Sequence, residues 1–205
     1  MMMKKRTKFG QQLVDRMTKL ADILIINVLW LAFSIPIITI GASTSAMIST
    51  VNKFILKKEG YLFKQFWKSF KSSFKQATAV TIFDLFVYST LYLNTNSIRN
   101  VQGNAILATF SEVFLVIVAI AATSLTPYVL SYIARFSDPL KIIIKNCYVL
   151  SLMNFWKTLI IFIVTLTFVG ILWLVPILVL ALPALVAILL CKKMQQIFTI
   201  SIVNL

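Results

Sequence analysis

Fifteen residues, Asn27 to Gly41, read NVLWLAFSIPIITIG without a single charge, and this run limits what the chain can fold into more than any other feature. A soluble domain can bury one such run, but four more apolar blocks of similar or greater length follow it. The medium in which this chain folds is therefore lipid, where only structures that satisfy their own backbone hydrogen bonds can span.

Composition agrees. The chain is 60% hydrophobic and 13% charged, against about 45 to 50% apolar and about 25% charged for an ordinary globular protein. At about 20 residues per span, 205 residues suit four to six spans with little left over. The fold expected is an all-α integral membrane protein, a compact bundle of about five to six transmembrane helices with two basic amphipathic cytoplasmic segments. Residues 1–19 form a cytoplasmic N-terminal amphipathic segment and residues 20–205 a single transmembrane domain, with apolar blocks at 20–40, 42–56, 76–95, 105–134, 158–175 and 177–191.

Twenty Lys and Arg against six Asp and Glu give a net charge of +14. In a soluble protein that excess would point to nucleic acid, but in a membrane protein it follows from the gathering of basic residues in cytoplasmic loops and at anionic headgroups. The partner expected is the bilayer, and no nucleic acid. The N-terminus has the charge of a signal peptide, yet no small-residue cleavage site follows its apolar core, so it reads as a retained cytoplasmic segment. Phe9, Leu13, Met17 and Leu20 recur there at helical spacing, as in an interfacial helix.

The first block carries Asp22 near its start, then Asn27, and ends at Pro36. After it come two rows of small residues, Gly41, Ser45 and Ser49 on one and Ala42 and Ala46 on the other, the kind of surface that lets helices approach closely in lipid. Three readings are open to 42–56: a short second pass, a re-entrant helix, or the far end of a bent first helix. Charge favours the first. Lys4, Lys5, Arg6, Lys8, Arg16 and Lys19 precede the block, and seven lysines against Glu59 alone lie between Lys53 and Lys75. If both flanks are cytoplasmic, the chain goes in and returns as a helical hairpin broken at Pro36 to Gly41.

The second basic flank places Phe63, Phe66, Trp67, Phe70 and Phe74 on one helical face and Lys64, Lys68, Lys71 and Lys75 on the other, a candidate docking or lipid-facing surface set off by Gly60. The block 105–134 is about 30 residues long and holds Pro127, which suits one tilted, kinked helix or a helix and a second short piece. Arg135, Lys141, Lys145 and Lys157 mark another basic amphipathic segment, and residues 158–191 run without a charge for about 34 residues, enough for two passes turned near Pro176. A weak internal repeat appears at an offset of about 82, pairing Thr44 with Thr126, Ser49 with Ser131, Lys53 with Arg135 and Lys75 with Lys157.

Chemistry is sparse. With no histidine, Ser-His-Asp and Cys-His catalysis and histidine metal sites are excluded. Five glycines make neither a GxGxxG nor a Walker loop, and Cys147 and Cys191 lack CxxC spacing. No cofactor and no enzymatic activity are expected. Asp84 and Glu112 stand inside apolar blocks, where an ionised carboxylate costs about 2.5 kcal/mol or more near the bilayer centre. With Asn27 they are the candidate intramembrane polar site, set against the simpler reading of carboxyls hydrogen-bonded to a neighbouring helix.

With NVLWLAFSIPIITIGASTSAM and EGYLFKQFWKSFKSSFKQA, the chain resembles the YesL family of bacterial membrane proteins, a domain of unknown function. The resemblance rests on Asn27, Trp30, Pro36, Thr39, Gly41 and Phe74 to Gln76, with NFWKTL in the second basic segment; Ala42 stands where members often have proline. It implies a bacterial membrane protein accessory to a carbohydrate ABC transporter in the uptake of oligosaccharides; the basic residues place both termini on the cytoplasmic side, and permease subunits are the partners expected. An independent transporter or substrate-capture subunit using Asp84 or Glu112 is the other expectation.

Overall fold

The computed structural model describes residues 2–56, 61–100, 105–180 and 182–203. Among them no strand occurs, and seven α-helices follow one another: α1 (Met2–Ser34), α2 (Ile40–Thr50), α3 (Leu62–Asn100), α4 (Ala105–Ile133), α5 (Leu140–Met153), α6 (Phe155–Leu174) and α7 (Leu182–Val203). Three stretches are long and apolar enough to cross a bilayer: Met17–Ser34, Thr109–Ile133 and Phe155–Leu174. Gly60 lies outside the described residues.

α1 runs unbroken through the boundary between the basic N-terminal segment and the first apolar block. It stops at Pro36, whose ring disfavours helix in the residue before it. One turn of 3-10 helix, Ile37–Thr39, reverses the chain. The Thr39 hydroxyl lies 2.7 Å from the carbonyl of Phe33 and 2.7 Å from that of Pro36, within reach of acceptors that the end of α1 leaves without helical donors. α2 then folds back on α1: Trp30 Nε1 donates to Thr44 Oγ1 at 3.0 Å, and Ser43 Oγ donates to the Trp30 carbonyl at 2.9 Å. The chain turns back at the break that the sequence places between Pro36 and Gly41.

α2 is the centre of the molecule. It packs on α1, α3, α4 and α7, and nine of its eleven residues are buried. Its small-residue row lies antiparallel to α3: Gly41 sits against Ala77 and Thr81, and Ser69 Oγ donates to Ser49 Oγ at 2.8 Å. A wide π turn, Val51–Leu56, prolongs it. α2 is thus an interior helix, while the turn after it is only partly buried and leaves Lys53 exposed.

α3 is one helix of 39 residues, about 58 Å long at 1.5 Å per residue. The basic aromatic segment and the apolar block 76–95 are not two helices, because no proline or glycine separates them. The aromatic row divides accordingly. Phe66 and Phe70 are buried with Phe33 of α1 between them, ring centroids 5.6 and 5.0 Å away. Phe63, Trp67 and Phe74 stay exposed, as do Lys64, Lys68, Lys71 and Lys75. Part of the row read as a lipid or docking surface is therefore core.

α4 is a single helix with Pro127 inside it. α5 begins after Pro139 and buries the stripe Ile143, Cys147 and Leu150, while Lys141 and Lys145 face out. Only Asn154 separates it from α6. The expected turn near Pro176 is a 3-10 segment, Pro176–Leu180, so 177–191 is not one helix: α7 starts at Leu182, takes Pro183 in its first turn, where no amide is needed, and continues past Lys192 and Lys193. Outside the core, Val28, Phe86, Phe114, Leu166 and Trp173 are among many exposed large apolar side chains, which only a lipid environment tolerates in such number.

Both cysteines are buried and unpaired by disulfide. Burial pushes the Cys147 thiol up to about 12, so at pH 8 its thiolate fraction is on the order of one in ten thousand. Maleimide at pH 8 should leave both cysteines of the folded chain unlabelled and modify both after SDS denaturation. Rapid labelling of Cys147 before denaturation would show that α5 is not docked.

Candidate functional site

The antiparallel pair α3 and α4 is stitched by polar side chains at matching heights. Thr126 Oγ1 donates to Asp84 Oδ2 at 2.8 Å, the Tyr88 and Thr123 hydroxyls are bonded, and Asn94 Nδ2 donates to Ser111 Oγ at 3.2 Å. Thr95 Oγ1 reaches Glu112 Oε1 at 3.4 Å. Hydroxyls in apolar helices seek such partners because lipid offers none.

Asp84 stands in the wall between two cavities. The larger, about 380 Å³, is enclosed by α1, α2, α3, α4, α6 and α7 and is mainly apolar, with Trp30, Thr44, Tyr88, Thr126 and Thr165 among its lining. The smaller, about 280 Å³, lies between α3, α4 and α5 and shares Asp84 and Thr126 with the first. A mostly apolar cavity with a few convergent polar groups is the form a small-molecule site takes. Thr126 is the polar partner of Asp84 among the described residues, and no cation pairs with it there. Such a carboxylate can accept hydrogen bonds from an ammonium or from hydroxyls.

The other polar candidates lie elsewhere. Glu112 pairs with Thr95, which is eleven residues beyond Asp84 on α3, about 16 Å along the axis. Asn27 is 0% exposed and its Oδ1 accepts the backbone amide of Ala184 at 2.8 Å. That amide is in the first turn of α7, where donors have no helical acceptor, so Asn27 caps a helix 157 residues away. The three predicted polar residues therefore do not form one site; Asp84 alone lines the cavity. Among the described residues no group of three His, Cys, Asp or Glu could hold a metal ion.

The packing candidates converge better: Gly41, Ser45 and Ser49 lie in the α2–α3 contact, and Ala42 and Ala46 are wholly buried. What sequence reasoning missed was the set of partners, Thr126 for Asp84 and Ala184 for Asn27. Neither had a signal in the sequence, since both depend on how distant helices pack.

Residues 23–95 match the family described as a protein of unknown function, DUF624. This is the region carried by the YesL group, so the resemblance drawn from Asn27, Trp30, Pro36, Thr39 and Gly41 holds over this stretch. It takes in most of the membrane part of α1, all of α2 and α3 as far as Thr95, with Asp84. No curated protein and no solved structure matches the chain.

Proposed function

We propose, for a chain with this DUF624 region, a non-enzymatic component of solute uptake in the bacterial cytoplasmic membrane, with both termini cytoplasmic. It holds a small solute against Asp84 as a substrate-capture subunit. The observation that carries this reading is a carboxylate held by Thr126, with no cation paired to it among the described residues, in the wall of a cavity on which six helices converge. Glu112 has no part in it. The proposed repeat at an offset of 82 is supported by Thr44 and Thr126 sharing that cavity.

A second reading, an accessory of a carbohydrate ABC transporter, is favoured by the exposed lysines of α3 with Phe63, Trp67 and Phe74, a surface free to meet permease subunits. The two readings share one experiment. A deletion strain should take up labelled maltotriose more slowly, and the wild-type chain should restore uptake while Asp84→Asn, at equal membrane abundance, restores less than about a tenth of it, as when a buried charged hydrogen bond is lost. Restoration by Asp84→Asn would reduce the carboxylate to a helix tie. Permease subunits retained on the tagged chain through a salt wash would select the accessory reading, and the chain alone the independent one.

A further inference from the structure

A third cavity, separate from Asp84, lies at the other end of the α2–α3 contact, and its chemistry is the reverse. About 210 Å³ in volume, it is lined by Lys53 of the π turn, Lys68 of α3, Arg135 of the α4–α5 connection, and serines that include Ser45, Ser49 and Ser69. Among the described residues no aspartate or glutamate lines it. Asp138, close in sequence, accepts from the Tyr132 hydroxyl at 2.9 Å and does not line it.

The walls are fixed. Gln65 Nε2 donates to Ser69 Oγ at 2.9 Å and Ser69 to Ser49 at 2.8 Å, while Arg135 Nη2 is held on the Cys191 carbonyl at 2.9 Å. Ser45 is 0% exposed, lines the cavity, and its hydroxyl has no hydrogen-bond partner among the described residues. A buried donor left unmade is costly, and Lys53, Lys68 and Arg135 together make this place attractive to an anion.

We infer that this cavity binds a phosphate group, with Lys53, Lys68 and Arg135 neutralising its charge and serine hydroxyls donating to its oxygens. The group can arrive on an anionic lipid of the basic side of the membrane or on a soluble phosphate, and the two are separable.

The full chain, purified in an uncharged detergent, is titrated with phosphatidylglycerol, phosphatidylcholine, sodium phosphate, and sodium chloride at matched ionic strength, reading the thermal unfolding midpoint. A saturable rise with phosphatidylglycerol alone assigns the site to the lipid; a rise with sodium phosphate as well assigns it to soluble phosphate. The double variant Lys53→Ala/Lys68→Ala removes two exposed side chains and should keep the unliganded midpoint while needing about tenfold more ligand. Lys64→Ala/Lys75→Ala loses the same charge outside the cavity and should bind as wild type. No rise with either probe, an equal rise with sodium chloride, or equal weakening in both double variants would overturn the assignment, the last marking diffuse attraction to a chain of charge +14.

Discussion

Replacing Gly41 with alanine will lower the unfolding midpoint of the purified chain, and replacing it with valine will prevent the folded form from accumulating. Two effects compete. Alanine is the better helix former by about 1 kcal/mol, so on propensity alone the variant gains. Against this, a Cβ on Gly41 would lie 2.7 Å from the Ala77 carbonyl oxygen and closer still to Thr81 Oγ1. The carbonyl belongs to the backbone of α3 and cannot swing aside, and overpacking of this kind costs about 1 to 3 kcal/mol, so the clash wins. Gly170 supplies the control, since a Cβ there meets nothing within 4 Å: Gly170→Ala should be neutral or slightly stabilising. Thr81→Ala should recover only part of the Gly41→Ala loss, because the carbonyl contact remains. Equal behaviour of the two alanine variants would mean that α2 and α3 do not approach as described.

The second large effect belongs to Asn27. Asn27→Ala leaves the Ala184 amide without its side-chain acceptor in a site closed to water, at a cost of about 1 to 3 kcal/mol, and leaves a small void besides. Asn27→Leu fills the void, so the loss common to both variants measures the hydrogen bond. Unfolding midpoints read in the same detergent should fall for both, more for alanine. If leucine restored the wild-type value, packing and not capping would be the work of Asn27.

The residues that carry the resemblance thus have physical explanations. Pro36 stops α1, Thr39 reaches the carbonyls left at its end, Gly41 admits α3, and Trp30 and Asn27 fasten the hairpin and α7 to it. The hairpin was legible because its signals are local: a proline, a row of small residues, basic flanks on both sides. The continuity of α3 was less so. Its composition changes near Gln76 from basic and aromatic to apolar, and a change of solvent was read as a change of element, although no breaker stands there. The long block 105–134 offered two readings, and the single helix α4 prevails with its proline inside. Interior and surface could not be told apart along the aromatic row, because Phe66 and Trp67 differ by one helical step and both rings reach Phe33, at 5.6 and 5.5 Å. Asp84 was visible as an expense to be met; its partner Thr126 and its cavity depend on helices that meet only in three dimensions, and the tie from Asn27 to Ala184 spans nearly the whole chain.

α3 runs unbroken past two cavities. Gln65, Lys68 and Ser69 at its basic end border one cavity, and Asp84 and Tyr88, a few turns on, border another. The helix between them is pressed on α2 through glycine, serine and alanine, side chains too short to bend out of the way. α3 is therefore a lever with a rigid arm and a tight bearing: it cannot shift at one end and stay still at the other. An occupant of one cavity that shifted α3 would change the affinity of the other, and the coupling would be equal in both directions.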